Sequence, residues 1–571
     1  MPIIKINSSQ NQEESSSLKH RKRYVRRSDL TPAIRLKLAI MGLSPLYRDA
    51  SIKELKAKYE VSHTFIYQQS NILKKNASVL FGVPSSGQSS QLELLLQSIR
   101  FFLEGKLETK GALHGLSNFG KSVGIPYNST HFISELLQVA GTLVGSSYVS
   151  EQSLLLTFLC DEIYSGGEAI LVTIDAQSMA VLDIRLVSGN LKSSDWEQSF
   201  KEMIDNDIRP KCVIKDQGKQ MASAVKVLPD ETIIGADTFH AIAHRLGSFY
   251  HQFKKAMQKA VEKEADRAAR FAKAKGYPTL FKKEKEWEDA KLQLLETTDK
   301  FEWFSYYYFQ LIRQLLPFTS KGEPRDKTVA ELKMREALEA FSLMDLPKLN
   351  QQIQFIENLL ESGQLLHYMD QVPAFYQELQ NWLEPDTVWL WMLYWQWQKK
   401  SYQTHAVKVR QKAKSEANAA RELLEEYYAQ STQLEGDNLF ETTKEKVFGV
   451  LSEIVQASSL VESFNSILRP FINSAKGQVS QELLNLVMFY HNHRVFKRGK
   501  RQGQAPVEIL TGQKLQKSWI DLLMDKVEEA FKKHQVASLK ELKHCIEQEK
   551  IQSAQQIGQK NTQKQDSALA A

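Results

Sequence analysis

The chain has little cysteine: three in 571 residues, Cys160, Cys212 and Cys545. No two of them are closely spaced, which argues against a disulfide framework and against a cysteine-rich zinc site. A reducing interior is the expected compartment. Long hydrophobic runs are also missing, since none approaches the ~20 apolar residues needed to cross a bilayer. The opening residues show no apolar leader core. A soluble, intracellular protein is expected, with no membrane partner. Nor is there a large excess of one charge sign. Lys and Arg number 74 against 67 Asp and Glu, a net +7 that by itself favours an anionic partner only weakly.

What is present is ordinary globular material. Apolar residues make up 42% and charged residues 25%, and the length suggests roughly three or four domains. The positive charge is unevenly placed. Lys19 to Arg27 holds Arg21, Lys22, Arg23, Arg26 and Arg27 behind a polar Ser/Gln/Glu stretch, the pattern of a disordered arm that could follow phosphates. A solvated tail, or a nuclear import signal, has the same composition. Next, Ile52, Leu55 and Tyr59 recur at helical spacing, and a break at Val61-Ser62 precedes a second helical stretch, 63–75. Phe65, Ile66 and Leu73 can face inward there while His63, Thr64, Tyr67, Gln68 and Asn71 face out. This reads as a helix-turn-helix with Ser62 as N-cap and Gln and Asn available to adenine edges, although a plain helical hairpin looks alike. A glycine-rich segment from Lys110 to Gly124, a break at Ile125-Pro126, and a helix from Ser129 to Leu143 suggest a second such pair.

From Leu154 the period changes. Apolar runs at 154–163, 168–175 and 179–187, with Gly166-Gly167 as a hairpin turn, predict a three-stranded meander. A helix over Ser194 to Asp205, a buried strand from Lys211 ending at Asp216, a helix over Lys219 to Leu228 and a strand from Glu231 to Asp237 follow. The prediction is an α/β core with a mixed five-stranded sheet in the RNase H order. Between Ala241 and Lys446 strand signals vanish and charged amphipathic helices take over, including 254–275, 327–341, 346–362 and 403–430. The run from Trp389 to Trp397 could stack bases, but Trp391 and Trp395 share one helical face, the pattern of a core.

The resulting division is a disordered basic arm (1–30), a helix-turn-helix (31–85) and a second helical module that could be another (86–147). The first part of the core (148–240) and an all-helical insertion (241–446) come next. The closing part of the core (447–513), with its helix and basic segment, precedes C-terminal helices and a Gln/Ser/Ala-rich tail (514–571).

Three acidic residues occupy suggestive places. Asp161 and Asp216 each close an apolar strand, and Glu462 sits on a later helix-like stretch, 458–465. Strand, strand and late helix is an order that can gather carboxylates around two divalent cations, and hard cations require such oxygen ligands. Any one strand-end Asp could equally be a turn residue or a cap. Asp175 also ends a strand and rivals Asp161. Glu162 should point to the opposite side of the strand and is the poorer candidate.

Cys160-Asp-Glu-Ile-Tyr164 followed by a hairpin resembles the start of the catalytic domain in bacterial insertion-sequence transposases. Val461-Glu-Ser-Phe-Asn465 resembles their glutamate helix. Phe489 to Arg494, continued by Gln504-Ala-Pro-Val-Glu-Ile-Leu510, resembles the end of that domain. The likeness is to DDE transposases of the RNase H-like, retroviral-integrase superfamily. It covers roughly 154–241 and 453–512. It implies Asp161, Asp216 and Glu462 as catalytic metal ligands, with two Mg²⁺ or Mn²⁺ ions. Asp237-Thr-Phe-His240 resembles an element of the hAT and Mutator-like branches, which also carry a helical insertion. On that likeness His240 would contact DNA, and Asp237 and Asn465 are auxiliary. Arg469 lies seven residues after Glu462, where the family often has a basic residue, but Pro470 biases it out of the helix. Arg494, Lys497, Arg498, Lys500 and Arg501 could clamp phosphates, or form a solvated loop.

The implied function is end recognition, phosphodiester hydrolysis to free a 3′-OH, and its transfer to target DNA. The implied partner is double-stranded DNA, from both transposon ends and the target, bound by at least a homodimer. Localisation would be cytoplasmic and nucleoid-associated, or nuclear in a eukaryote. A structure-specific nuclease on the same core and a non-catalytic DNA-binding regulator are the alternatives.

Overall fold

Ser51 and Ser62 each start a helix, because each hydroxyl accepts a backbone N–H that the first turn would leave orphaned. Ser51 Oγ accepts from Glu54 N at 3.2 Å while Glu54 returns a carboxylate to Ser51 N at 2.7 Å, and Ser62 Oγ accepts from Phe65 N at 3.0 Å. The computed structural model describes residues 29–43, 51–80, 91–216, 218–404, 407–431 and 439–552. The chain forms two compact units, one ending at Ile133 and the other starting at Ser134.

The first unit holds α1 (Pro32–Leu43), α2 (Ile52–Tyr59), α3 (His63–Leu80), α4 (Gln91–Thr109) and α5 (Leu113–Ser122); α6 (Thr130–Val144) crosses the division. Leu38 and Met41 of α1, Leu55 of α2, and Phe65 and Ile66 of α3 form one apolar cluster. His63, Thr64, Tyr67, Gln68 and Asn71 stand exposed on the other side of α3. The glycine-rich segment forms the short α5, whose Phe119 stacks on Phe101 at 5.6 Å.

The second unit is organised by the mixed sheet. Its strands are β1 (Leu154–Ser165), β2 (Glu168–Asp175), β3 (Val181–Val187), β4 (Ile208–Lys215) and β5 (Ile233–Ala236), in the order β3-β2-β1-β4-β5. β1, β2 and β3 run antiparallel through the turn at Gly166-Gly167, whose φ of +61° and +93° only glycine adopts freely. β4 and β5 lie parallel to β1 and to each other, which requires a crossover. That crossover is α7 (Ser193–Asp205), whose Trp196, Phe200 and Met203 pack on Phe158, Cys160, Leu171 and Val213. α8 (Lys219–Ala224) joins β4 to β5.

The insertion comprises α9 (Arg245–Ala272), α10 (Tyr277–Gln314), α11 (Lys327–Ser342), α12 (Pro347–Glu361), α13 (Val372–Gln380), α14 (Pro385–Gln403), α15 (Val407–Ser431) and α16 (Leu439–Leu451). The helix expected over 403–430 is α15, which starts four residues later, at Val407, because Gln403 still belongs to α14. Trp391 and Trp395 lie buried in the insertion core. α17 (Ser459–Ser474) and α18 (Gln481–His493) then return to the sheet, followed by α19 (Pro506–Thr511), α20 (Trp519–His534) and a last helical run, 539–552. No helix among the described residues is long and apolar enough to cross a membrane.

The insertion is stitched to the sheet edge. Ala236 N donates to Gln364 O at 2.9 Å, and the His367 ring nitrogens lie 3.0 and 3.2 Å from the carbonyls of Gln364 and Val455. Gly235 leaves room for that ring, since a Cβ there would sit 2.5–2.7 Å from its atoms. Gly235→Ala is therefore expected to destabilise the protein by about 1–3 kcal/mol, the usual cost of overpacking. A thermal melt matching wild type would show that the insertion is not seated on this edge.

On the other side, α18 crosses β3. Asn492 accepts from Val181 N and donates to Val181 O, both at 2.8 Å, and His491 Nε2 donates to Met179 O at 2.9 Å. Burial pushes the His491 imidazole down to about 4. A folded value below the unfolded ~6.5 makes the neutral ring's contribution complete above pH 6.5. It is lost as pH falls through 4. Relative to His491→Gln, wild type should thus lose about 3 kcal/mol of stability across that window. Parallel loss in both proteins, followed by pH-resolved melts, would contradict the assignment.

Candidate functional site

The strand register puts the first two carboxylates side by side. Cys160 of β1 pairs with Lys215 of β4, so the next residue on each strand, Asp161 and Asp216, leave neighbouring strands at the same level. Asp161 points to the side of the sheet covered by α17, where its Oδ2 accepts from Asn465 Nδ2 at 2.9 Å. Asp216 turns back to accept from Gly218 N at 3.0 Å. Glu462 stands in the first turn of α17, one turn before Asn465, and its side chain is 55% exposed. Asp216 and Glu462 are both electrostatic neighbours of Asp161. Burial first, and then these two like charges, push the Asp161 carboxyl up to about 6.

A second carboxylate group holds this arrangement in place. Asp237, just after β5 and 2% exposed, accepts from Phe239 N at 2.8 Å and His240 N at 3.0 Å with one oxygen. The other oxygen accepts from Ser458 N at 2.7 Å and Ser458 Oγ at 2.5 Å. Residues 221 positions apart are thus joined, and Ser458 is the N-cap residue of the helix that carries Glu462. Burial alone would raise the Asp237 carboxyl, but the hydrogen bonds from His240 and Ser458 hold it below its ordinary value. His240 lies between the two groups, with Nδ1 3.2 Å from Asp237 and Nε2 3.7 Å from Glu462. Asp237 is the main reason its imidazole is raised, to about 8. The backbone at 239–244 forms a wide π-type turn before α9.

Other expected positions sort out by contact. Glu162 faces the α7 side, accepting from Trp196 Nε1 at 3.0 Å. Asp175 accepts from Ser178 N and Oγ, both at 2.7 Å, so it closes the β2–β3 turn, and it pairs in register with Phe158, three residues before Asp161. Pro470 lies inside α17 and does not end it, so Arg469 is helical and, at seven residues' spacing, shares the exposed side with Glu462. In the basic segment, Lys497, Arg498 and Lys500 are exposed, whereas Arg494 stacks on Tyr490 at 4.9 Å. Arg501 donates to the carbonyls of Gln177 and Ala176 at 2.8 and 3.2 Å, a structural use of a cation expected to clamp phosphates. Arg21, Lys22, Arg23, Arg26 and Arg27 lie outside the described residues.

Two neighbours were given no site role in the sequence reading. Arg245 is an electrostatic partner of Asp216, stacks on Phe355 at 3.7 Å and bonds Gln352 at 2.9 Å. Tyr164, 61% exposed, reaches Glu162 at 3.3 Å and also feels Asp216. Tyr164 entered that reading only as the end of the Cys160-Asp-Glu-Ile-Tyr164 motif. Arg245 had no local signal.

The donor set suits a hard cation. It consists of carboxylate oxygens plus Asn465 Oδ1, which is buried beside Asp161 with no hydrogen-bond partner. The three carboxylates do not form a closed cage: among the described residues, no three His, Cys, Asp or Glu converge closely enough to hold an ion. Like charges without a counter-ion repel, and the exposed Glu462 is the one with freedom to move inward.

No protein-family profile matches the chain. No curated protein matches it either. Among solved structures, it is similar to a Drosophila P element transposase strand transfer complex at 10% identity, over 69% of this chain and 99% of that one. The TM-score is 0.27, a likeness too distant to carry an argument about fold or function.

Proposed function

We propose that the protein is a DNA transposase of the DDE type, acting through an RNase H-like core. What supports this reading is that Asp216, which follows the strand beside that of Asp161, and Glu462, on a late helix tied to the sheet by Asp237, are both electrostatic neighbours of Asp161. Asp161, Asp216 and Glu462 would hold two Mg²⁺ or Mn²⁺ ions, which supply activation of the attacking oxygen and stabilisation of the departing one.

The chain's own residues set the geometry. Asn465 fixes the Asp161 carboxylate through its 2.9 Å bond and leaves its own Oδ1 without a hydrogen-bond partner. His240, anchored by Asp237, stands beside Glu462 and can donate to a non-bridging phosphate oxygen. In hydrolysis, water oxygen bonds to phosphorus and the bond to the 3′ oxygen breaks, leaving a 3′-OH and a 5′-phosphate. In transfer, that 3′-OH bonds to a target phosphorus and displaces the target's 3′ oxygen. The exposed face of α3, with Gln68 and Asn71, is assigned to end recognition in the major groove. Handling two ends together calls for at least a dimer on DNA.

The test is a labelled duplex carrying the gene's own flanking DNA, incubated with the protein and Mn²⁺. Cleavage to 3′-OH ends, followed by joining to a second duplex, is the expected result. Cleavage without joining would identify a nuclease, and binding without cleavage a regulator; either would overturn the proposal.

A further inference from the structure

α9 covers one side of α10. Ala260 of α9 and Ala290 of α10 are buried, Phe271 stacks on Trp287 at 5.2 Å, and Trp287 Nε1 donates to Glu264 at 2.7 Å. Another side of α10 carries a second pattern. From Phe281 to Phe309, steps of four and three residues alternate without a break through Leu292, Leu295 and Tyr306, and every position on this stripe is exposed. Its five apolar members are 46–62% exposed. Single apolar residues on a surface need no explanation. A heptad stripe along about 40 Å of one helix is a coiled-coil seam that lacks its second strand.

The stripe is complementary to itself. Let two copies of α10 run antiparallel about a two-fold axis between Gln293 and Leu294. Leu292 then meets Leu295 of the second copy, Phe281 meets its Tyr306, and Lys285 meets its Glu302, each pairing occurring twice. A parallel pair in register would instead set Lys285, Glu288, Asp299 and Glu302 each against its own copy. The antiparallel arrangement keeps one like-charged layer, Glu288 against Asp299, which holds the association weak. Two stripes of this length bury on the order of 1,000 Å², the size of a reversible specific interface.

The surface is already shaped for the charged pair. Asp299, Glu302, Trp303, Tyr306 and Tyr307 line a hollow of about 480 Å³. The Trp303 and Tyr307 ring centres lie 4.9 Å apart at 60°, and those of Tyr306 and Tyr307 5.1 Å apart at 87°. Trp303 Nε1 donates to Ala340 O at 3.1 Å, which fixes the indole. Two carboxylates beside aromatic rings suit an ammonium on a long aliphatic stem. Lys285 of the second copy supplies one at this level of the stripe.

We propose that the exposed stripe of α10 pairs antiparallel with the same stripe of a second copy, each copy's Lys285 seated in the other's hollow. The pairing gives the helical insertion a role in bringing two copies together. It needs neither DNA nor cation, and it stands independently of the reading of the carboxylate centre.

The experiment is sedimentation velocity of the full-length protein, free of DNA and divalent cation, over a concentration series. Wild type should show a reversible monomer–dimer equilibrium at micromolar concentrations. Leu292→Gln with Leu295→Gln alters exposed positions alone and should weaken the dimer by at least about 100-fold, since four leucines leave the seam. Lys285→Glu and Glu302→Lys should each weaken it about tenfold, and together they should restore it, because opposite charges meet again in reversed order. Glu288→Lys should tighten it about tenfold by making the like-charged layer attractive. A monomer at every concentration, a dimer indifferent to the leucine changes, or charge variants that do not rescue one another would overturn the pairing. Cleavage is read separately, by the flanking-duplex assay, so failure here leaves the reading of the centre standing.

Discussion

Asp237→Ala is expected to abolish cleavage without altering any of the three proposed ligands. The carboxylate is 2% exposed and accepts four hydrogen bonds, two of which fasten the start of α17 to the end of β5. Its removal leaves four donors without their acceptor and the His240 ring without its ion-pair partner. Loss of a buried charged partner costs about 3–5 kcal/mol. The first turn of α17 would then be free to shift, and Glu462 with it. A displacement of about 1 Å at a reacting centre is enough for a ~100-fold loss in rate. Ser458→Ala removes a single donor and should cost about 1 kcal/mol. Because both changes break one network, their stability effects should not add. Thermal melts and cleavage rates for the two single variants and the double would show this. If Asp237→Ala cleaves at the wild-type rate, Glu462 is placed by something other than this junction.

Asp161→Asn should separate stability from activity. With its carboxyl raised to about 6 by burial and by Asp216 and Glu462, Asp161 is harder to ionise folded than unfolded. An acid raised in this way weakens the fold as pH climbs from about 4 through 6, and the cost is complete above 6. Two units correspond to about 3 kcal/mol at pH 7. Asparagine removes that cost but changes the bond from Asn465, so a net gain of about 1–2 kcal/mol is expected without divalent cation. Cleavage should fall by at least about 10³, equivalent to roughly 4 kcal/mol of transition-state stabilisation. A variant that melts lower than wild type in metal-free buffer would mean that the carboxylate serves the fold and not a cation centre.

Much of the sheet was legible because local and non-local signals agreed. Leu154 to Cys160 and Lys211 to Lys215 are apolar runs of strand length, each followed by Asp, and they pair as neighbouring strands of a mixed sheet. The helical character of the insertion was readable from its charged amphipathic pattern, and Trp391 and Trp395 from their shared face. Boundaries were less legible. Tertiary packing carries α17 through Pro470, overriding the local bias of the residue before it, and the helix expected from residue 403 starts at Val407, after α14 has ended at Gln403. The least legible features join distant parts of the chain. Nothing near Ser458 announces Asp237, nothing near Arg245 announces Asp216, and the basic segment does not reveal that Arg501 is spent on the carbonyls of residues 176 and 177.

The central claim is that Asp161, Asp216 and Glu462 form one cation centre. Its most direct test is a titration of the protein with Mn²⁺, followed by electron paramagnetic resonance, with and without the flanking duplex. Two ions per chain in the presence of DNA, reduced in Asp161→Asn, Asp216→Asn and Glu462→Gln alike, is the predicted result. Equal Mn²⁺ binding by wild type and all three variants would contradict it.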